Sequence, residues 1–169
     1  FRDRYDDVIE GIAAAKAAGL SPINPSVAAV KAGRMVLERI EELSSRQLDF
    51  GFETTLAGIH HTRTLQSLKQ KGYRIVLRYL WIPSTTFAIH RIKTRVALGG
   101  HHVPSPDVRR RFGRSIRNLF ALYAPLADEL IVLNNSTSPP TIIFSEMDAK
   151  QSIHDAELFK KLTKQGRTL

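Results

Sequence analysis

The sequence predicts an α/β protein whose sheet is mostly parallel and is covered on both faces by helices. Apolar runs at residues 73–81, 130–133 and 141–144 have the composition of buried strands. Segments with apolar residues at helical spacing lie between and around these runs. Strands that alternate with helices of roughly ten to twenty residues are typical of a parallel sheet between two helical layers.

The composition is that of one globular domain spanning residues 1–169. Of the 169 residues, 43% are hydrophobic and 24% are charged. The chain is long enough to bury a hydrophobic core without support from disulfides or structural metals. No apolar run approaches the ~20 residues that a membrane-spanning helix needs, so we expect no membrane partner. The chain contains no cysteine, which excludes disulfides and thiolate metal sites, and we expect a cytoplasmic protein.

The net charge of +9 is concentrated in the middle of the chain. Between Arg63 and Arg117, thirteen Lys and Arg residues accompany one acid, Asp107, whereas the rest of the chain has a net charge of −3. This asymmetry indicates an anionic ligand, either nucleotide phosphates or a nucleic-acid backbone. A solvated basic face without any ligand is the alternative.

Two helices are predicted before residue 45. Residues 9–18 are rich in alanine and predict a helix within the segment 1–18. Asn24 and Pro25 favour the start of a second helix, because asparagine caps a helix N-terminus and proline suits its first turn. We expect this second helix to extend to about Ser44.

Residues 49–55 form a short strand candidate that ends in polar side chains. Ligands of open α/β sheets lie beyond the carboxyl ends of strands, so Glu53, Thr54 and Thr55 are candidates for a binding site. Alternatively, Thr54 and Thr55 only cap the turn that follows.

Residues 58–98 predict a helix, a buried parallel strand and a second helix. Gly72 closes the first helix, and residues 73–81 form the strand. Ser84 is placed to cap the second helix. Its buried stripe is expected to contain Ile89, Ile92 and Val96.

Residues 99–117 combine a glycine loop with an arginine-rich helix. Gly99 and Gly100 precede two histidines, and Ser105 is the predicted N-cap of a helix with Pro106 in its first turn. Five arginines lie on this helix. Its apolar side is formed by Val108, Phe112, Ile116 and Leu119. After the strands at 130–133 and 141–144, residues 148–169 predict a peripheral C-terminal helix.

Several common catalytic motifs are absent from the sequence. The histidines lack the helical spacing beside a glutamate that metal-binding helices use, so we expect no protein-bound zinc. No Gly-x-Ser-x-Gly is present, which argues against a serine hydrolase. Neither Gly-x-Gly-x-x-Gly nor Gly-x-x-x-x-Gly-Lys-Ser/Thr occurs.

The arginines nevertheless suit phosphoryl transfer, which depends mainly on positive charge around the oxygens of the moving group. Arg91 and Arg95 lie four residues apart on one predicted helix, and residues 109–111 follow on the next. This arrangement indicates a helical hairpin lid that closes over phosphates, since arginine binds phosphate oxygens in pairs.

Short motifs occur in the same order as in a known family. They are Gly-Leu-Ser-Pro at 19–22, Ala-Gly-Arg at 32–34, Phe-Glu-Thr-Thr-Leu at 52–56, Lys-Gly-Tyr at 71–73, Ala-Ile-His-Arg at 88–91, Arg-Val at 95–96, Gly-Gly-His-His-Val-Pro at 99–104, Arg-Arg-Phe at 110–112 and Leu-Tyr at 122–123. Over about residues 19–136, this set resembles the zeta-toxin family of P-loop kinases, in its chromosomal bacterial branch.

The resemblance implies a P-loop kinase-like three-layer sandwich that uses ATP and Mg²⁺. Zeta toxins phosphorylate the sugar hydroxyl of UDP-N-acetylglucosamine and are held inactive by a small antitoxin protein. By position, Glu53 lies near the sugar substrate with Thr54 and Thr55 beside it. Arg91 touches the ATP phosphates, with Arg95 on the same half of the lid. The rest of the phosphate-binding lid is assigned to His101, Arg110, Arg111 and Arg114.

The beginning of the chain departs from the family pattern. The first strand, the glycine-rich loop and its lysine have no counterpart in residues 1–18, and the position of the family's catalytic aspartate falls at Ala14. We therefore expect a truncated or degenerate kinase with weak or no activity. The alternative is a non-catalytic basic module that binds nucleic acid or an acidic antitoxin, of which nucleic acid is the less favoured because few aromatic residues lie among the arginines.

Overall fold

A computed structural model describes residues 25–100 and 102–168, including the side chains of residues 33–100 and 102–166. The chain divides into two compact units, Phe1–Phe52 and Glu53–Leu169. In the first unit, helix α1 covers Pro25–Ser45, close to the predicted end near Ser44. The predicted helix within residues 1–18 lies outside the described residues, as does His101. A single domain over residues 1–169 stays a prediction.

The second unit is built on a sheet whose described strands lie in the order β1-β2-β3-β4. They are β1 (Val76–Trp81), β2 (Glu129–Asn134), β3 (Thr141–Met147) and β4 (Lys150–Ile153). β1 and β2 are parallel, and the other two neighbouring pairs are antiparallel. The α/β class is confirmed, and the parallel part of the described sheet is the pair β1 and β2.

Helices precede, connect and follow these strands. They are α2 (His60–Gln70), α3 (Thr85–Ala97), α4 (Ser105–Asn118) and α5 (Ala156–Thr168). A π-helical segment at Leu119–Tyr123 and a 3₁₀ turn at Ala124–Leu126 continue α4 towards β2. The parallel pair thus encloses α3 and α4 in its crossover connection, as a βαβ unit requires.

The predicted ends of two helices are confirmed by their caps. Gly72 follows α2 with a φ of +86°, a left-handed conformation that glycine adopts without a steric penalty. The Ser84 hydroxyl accepts a hydrogen bond from the Phe87 backbone N–H at 3.1 Å and caps α3. The prediction that Ser105 caps α4 is wrong, because α4 begins at Ser105 after Pro104 and has no side-chain cap.

Two further expectations require correction. No strand is assigned to the described residues 49–55, so the side chains of Glu53, Thr54 and Thr55 lie on an irregular segment. The tail from residue 148 first forms β4, because Asp148 and Ala149 adopt positive φ values and turn the chain back along β3. Only then does α5 begin.

Burial also differs from the predicted pattern in β1 and α3. Within β1, Val76 and Leu80 are 47% and 56% exposed, and together with Arg78 they form the exposed face of the strand, because alternate side chains of a strand point to the same face. In α3 no residue is buried; Ile89 and Ile92 are half-buried, and Val96 is exposed. The apolar side of α3 is therefore only partly covered by the rest of the unit.

The core of the second unit lies among the sheet, α4, the π-helical segment and α5. Its largest fully buried side chains are Trp81, Tyr123, Ile116, Leu119, Ile143, Leu162 and Val132. The Trp81 indole N–H donates to Gln165 Oε1 at 2.9 Å, and the Phe144 and Phe159 rings stack with centroids 4.9 Å apart. These contacts fix α5 against the sheet. No described helix is both long and apolar enough to cross a membrane.

Candidate functional site: a basic helical hairpin

Helices α3 and α4 contact each other and form a hairpin whose turn depends on two glycines. Gly99 has a φ of +86°, and the backbone N–H of Gly100 donates to the Arg95 carbonyl at 2.9 Å. A Cβ added to Gly100 would lie 2.5 Å from Arg95 Cγ and 2.9 Å from the Arg95 carbonyl oxygen. The turn thus requires glycine at both positions, one for conformation and one for space.

The hairpin presents an exposed cationic surface. All eight of its basic side chains are exposed: Arg91, Lys93, Arg95, Arg109, Arg110, Arg111, Arg114 and Arg117. Asp107 is the one acid between Thr85 and Asn118, and its Oδ1 accepts a hydrogen bond from Arg110 at 2.7 Å. Because most of the positive charge has no acidic partner here, the surface can attract a polyanion.

Two of the predicted phosphate-binding arginines lie on α3, one turn apart. The Arg91 guanidinium carbon lies 4.9 Å from the centroid of the Phe87 ring, a cation–π contact that restricts its orientation. The aliphatic part of Arg95 packs beside Gly100. Both side chains remain exposed, so their guanidinium edges are accessible to phosphate oxygens.

The Asp107–Arg110 pair modifies this surface locally. The hydrogen bond from Arg110, together with the nearby charge of Arg111, lowers the pKa of the Asp107 carboxyl below its ordinary value. Asp107 therefore stays negative down to lower pH and neutralises part of the Arg110 charge. Arg111 and Arg114 have no ion pair within 4.0 Å among the described residues, so they are the freer cations of the predicted lid.

The predicted substrate residues lie on a loop held by the C-terminal end of the hairpin. Glu53, Thr54 and Thr55 are exposed. The Asn118 side-chain amide donates to the Leu56 carbonyl at 2.8 Å, and the Tyr123 hydroxyl donates to the Gly58 carbonyl at 2.6 Å. These two hydrogen bonds attach the loop to α4 and to the π-helical segment.

Within this loop, Thr54 has the capping role that was the alternative interpretation of the sequence. Its Oγ1 accepts a hydrogen bond from the Leu56 backbone N–H at 3.3 Å. Leu56 itself is buried and has a φ of +54°. The side chains of Glu53 and Thr55 remain the better candidates for contact with a substrate.

Sequence reasoning did not identify Asn118 and Tyr123 as residues that support the site. The signal available in the sequence was the Leu-Tyr motif at 122–123. This motif is part of the family resemblance, but the resemblance assigned no function to Tyr123. The Tyr123 ring is 1% exposed, and burial raises the pKa of its phenol, so the hydroxyl stays protonated as a donor at neutral pH. Its hydrogen bond to Gly58 places a polar group at the margin of the core.

The described residues bring together the cations of α3 and α4, and they attach the substrate loop to the C-terminal end of α4 and to the π-helical segment. Among the described residues, Glu53 forms no ion pair within 4.0 Å with any of these arginines. His101 lies outside the described residues, so its predicted place in the lid stays a prediction.

The side chains of the hairpin differ in how well they suit the phosphates of a nucleotide and a metal ion. Exposed guanidinium groups suit the oxygens of a triphosphate. The described residues contain no group of three or more His, Cys, Asp or Glu side chains that could hold a metal ion. The exposed arginines of the hairpin can therefore pair with phosphate oxygens, whereas no group of described side chains is arranged to hold a metal ion.

Comparison with known proteins agrees with the motif-based resemblance. The family model described as "Zeta toxin" matches residues 2–158. An uncharacterised protein of Haemophilus influenzae (strain ATCC 51907 / DSM 11121 / KW20 / Rd) is 29% identical over 93 residues, which are 55% of this chain and 66% of that protein. No solved structure shows a significant match. The family match covers most of the sequence, and the chain belongs to the zeta-toxin family.

Proposed function

We propose that the chain carries the phosphate-binding lid of a truncated or degenerate zeta-toxin kinase, an enzyme that transfers a phosphoryl group from ATP to a hydroxyl of a small cytoplasmic substrate such as a UDP-amino sugar. The observation that carries this proposal is the exposed cationic surface of the α3–α4 hairpin. It includes arginines of two motifs on which the resemblance rests, Ala-Ile-His-Arg at 88–91 and Arg-Arg-Phe at 110–112. Placing positive charge around the transferred group is the main requirement of phosphoryl transfer.

In this proposal, the two helices of the hairpin have different roles. Arg91 and Arg95 on α3 act as the catalytic cations that stabilise charge on the transferred phosphoryl group. Arg110, Arg111 and Arg114 on α4, together with His101, bind the remaining phosphate oxygens when the hairpin covers the nucleotide. The Phe87 ring supports Arg91 by holding its guanidinium plane.

The substrate loop supplies groups that recognise a sugar. The Glu53 carboxylate accepts hydrogen bonds from sugar hydroxyls, and the Thr55 hydroxyl donates or accepts them. Thr54 fixes the loop through its hydrogen bond with Leu56 and lies beside the substrate. A small antitoxin protein is the proposed regulatory partner.

ATP supplies the phosphoryl group, and Mg²⁺ neutralises charge between its phosphates. The 169 residues contain no Gly-x-x-x-x-Gly-Lys-Ser/Thr motif, and the backbone amides and lysine of such a loop usually hold the β-phosphate. We therefore expect the 169-residue chain to bind ATP weakly and to turn it over slowly or not at all.

A paired assay tests the proposal. Thermal stabilisation by Mg²⁺-ATP and by UDP-N-acetylglucosamine is measured for the wild type, for Arg91→Ala and for Lys93→Ala. Lys93 is the matched control because it is an exposed cation on the same helix. We expect saturable stabilisation that is reduced by Arg91→Ala and retained in Lys93→Ala. The absence of stabilisation by both ligands contradicts the kinase proposal.

Phosphate transfer to UDP-N-acetylglucosamine is measured with the same three proteins. Little or no transfer is expected from the 169-residue chain. Rapid ATP turnover that Arg91→Ala abolishes would show that the expectation of weak activity is wrong, while supporting the role given to Arg91.

The exposed basic surface also favours a second function, in which the hairpin binds a nucleic acid or an acidic protein without catalysis. Such binding weakens steeply as salt rises, in proportion to the number of phosphates neutralised. Steep salt dependence with an oligonucleotide, in the absence of stabilisation by ATP, would favour this function over the kinase. Within the described part of the hairpin, one cation–π contact is present, and it provides little of the aromatic surface on which bases stack.

A further inference from the structure

A cavity of about 450 Å³ lies in the second unit, away from the residues assigned to the proposed kinase site. It is bounded by α5, the π-helical segment and strands β2 to β4. We call it the phenylalanine cavity because Phe120, Phe144 and Phe159 line it. Its volume falls in the range of roughly 300–1,000 Å³ that is typical of small-molecule pockets.

The walls of the phenylalanine cavity are fixed by packing. Phe144 is buried in β3, and its ring stacks on Phe159 of α5 at an interplanar angle of 22°. A Cβ on Gly166 would lie 3.3 Å from Ile116 Cγ2, so glycine allows α5 to pack closely on α4 beside the cavity. The packing of α5 against β3 and α4 therefore determines the shape of the cavity.

The π-helical segment provides an independent indication that this wall is specialised. π-Helical turns are rare and are frequent at functional sites. Here the wider turn buries Leu119 and Tyr123 in the core, whereas Phe120 and Ala121 line the cavity. A larger side chain in place of Ala121 would occupy part of the space.

Among the described residues that line the cavity, one is a cation, and it marks the mouth of the cavity because its side chain is exposed to solvent. Arg117 lines the cavity, is exposed, and has no ion-pair partner among the described residues. Glu146 also lines it, and its Oε2 accepts a hydrogen bond from Gln151 Nε2 at 3.0 Å. A carboxylate at the same mouth disfavours a multiply charged phosphate, whereas a singly charged anion can pair with Arg117.

We propose that the phenylalanine cavity binds a small amphipathic carboxylate, whose apolar body lies among Phe120, Phe144 and Phe159 and whose carboxylate pairs with the Arg117 guanidinium. Burial of the apolar body supplies most of the affinity, and the arginine fork selects the charged head group. This site is separate from the proposed kinase function and does not depend on it.

Octanoate is the probe that tests the proposal, with 1-octanol as its neutral counterpart. Calorimetric titration of the 169-residue chain is expected to show saturable octanoate binding. Arg117→Gln should weaken octanoate binding about tenfold, since one charge-assisted pair is lost, and leave 1-octanol binding unchanged. Arg109→Gln is the matched control, because it removes an exposed arginine of the same helix that does not line the cavity.

Ala121→Phe tests the location of the site by filling the cavity from an exposed position. It should abolish the binding of both probes while the circular dichroism spectrum and cooperative unfolding are retained. The proposal is overturned if octanoate does not bind, or if Arg117→Gln and Arg109→Gln bind it equally well. It is also overturned if octanoate fails to bind and Ala121→Phe changes the oligomeric state in light scattering, because the cavity is then a contact between copies of the chain.

Discussion

Helices α3 and α4 belong to one hairpin, yet they differ in how they are stabilised. Helix α4 buries Val108, Gly113 and Ile116, and its continuation buries Leu119 and Tyr123. No residue of α3 is buried. The difference shows that α4 is part of the core, whereas α3 is attached at its surface. A helix with few buried contacts can shift at low energetic cost.

The largest expected effect is the loss of stability when a buried side chain that continues α4 is truncated. Leu119→Ala should lower the free energy of unfolding by about 2–5 kcal/mol, because Leu119 is fully buried and its truncation leaves a cavity. Leu98→Ala, at the end of α3, should change it by less than about 0.5 kcal/mol, since Leu98 is 84% exposed. Urea denaturation measures both, and equal losses would show that α3 is as integrated as α4.

A smaller loss of stability is expected when the Asp128 carboxylate, which links α2 and the start of β1 to β2, is neutralised. Asp128 accepts hydrogen bonds from the Ile75 backbone N–H at 2.7 Å and from Lys69 at 2.8 Å. Asp128→Asn should cost about 1–2 kcal/mol, because it weakens both bonds. Asp148→Asn is the control, since that carboxylate pairs with Arg74 in solvent and should matter little.

The same carboxylate makes stability depend on pH. The Ile75 hydrogen bond and then Lys69 lower the pKa of Asp128 below its ordinary value of 3.8. Stability from this group is therefore complete above the unfolded pKa and is lost as pH falls through the lower folded pKa. Acid titration of unfolding should show this loss in the wild type and less of it in Asp128→Asn. An unchanged acid profile would contradict the role of Asp128.

The elements that the sequence predicted are those whose signals are local. Gly72 marks the end of α2 and Ser84 the start of α3 through their own backbone or hydroxyl chemistry, and the apolar composition of β1 and β2 predicts strands at both places, although one face of β1 is exposed. The segment 49–55 also has strand-forming residues, but a strand requires a partner, and partners are not visible in local sequence.

The features that were missed depend on contacts between distant residues. β4 has a polar sequence and forms because Asp148 and Ala149 turn it back onto β3. Helix α4 has buried residues and α3 has none, because α4 packs against α5. Within the candidate site, the arginines were identifiable from charge and motif, whereas the bond from Asn118 to Leu56 joins residues 62 positions apart.

The link between the core and the substrate loop should give a more modest effect. Tyr123→Phe removes the hydrogen bond to the Gly58 carbonyl and should cost about 1 kcal/mol. It should also raise amide exchange in residues 56–58 and weaken the binding of the sugar substrate. Tyr79→Phe is the control, because its hydroxyl bonds with Ser115 Oγ at 3.0 Å, away from that loop. Equal exchange in the two variants would mean that Tyr123 does not hold the loop.

The smallest effect on stability is expected within the hairpin itself, where substitutions should change ligand binding and leave stability nearly unchanged. The Asp107–Arg110 pair is exposed, so Asp107→Asn should leave the melting temperature nearly unchanged. It should nevertheless strengthen the binding of Mg²⁺-ATP at low salt, because Arg110 loses the carboxylate that neutralises part of its charge. Arg110→Gln should weaken that binding with equally little effect on melting. If Asp107→Asn instead weakens ATP binding, Asp107 orients Arg110 towards the phosphates and the pair is part of the lid.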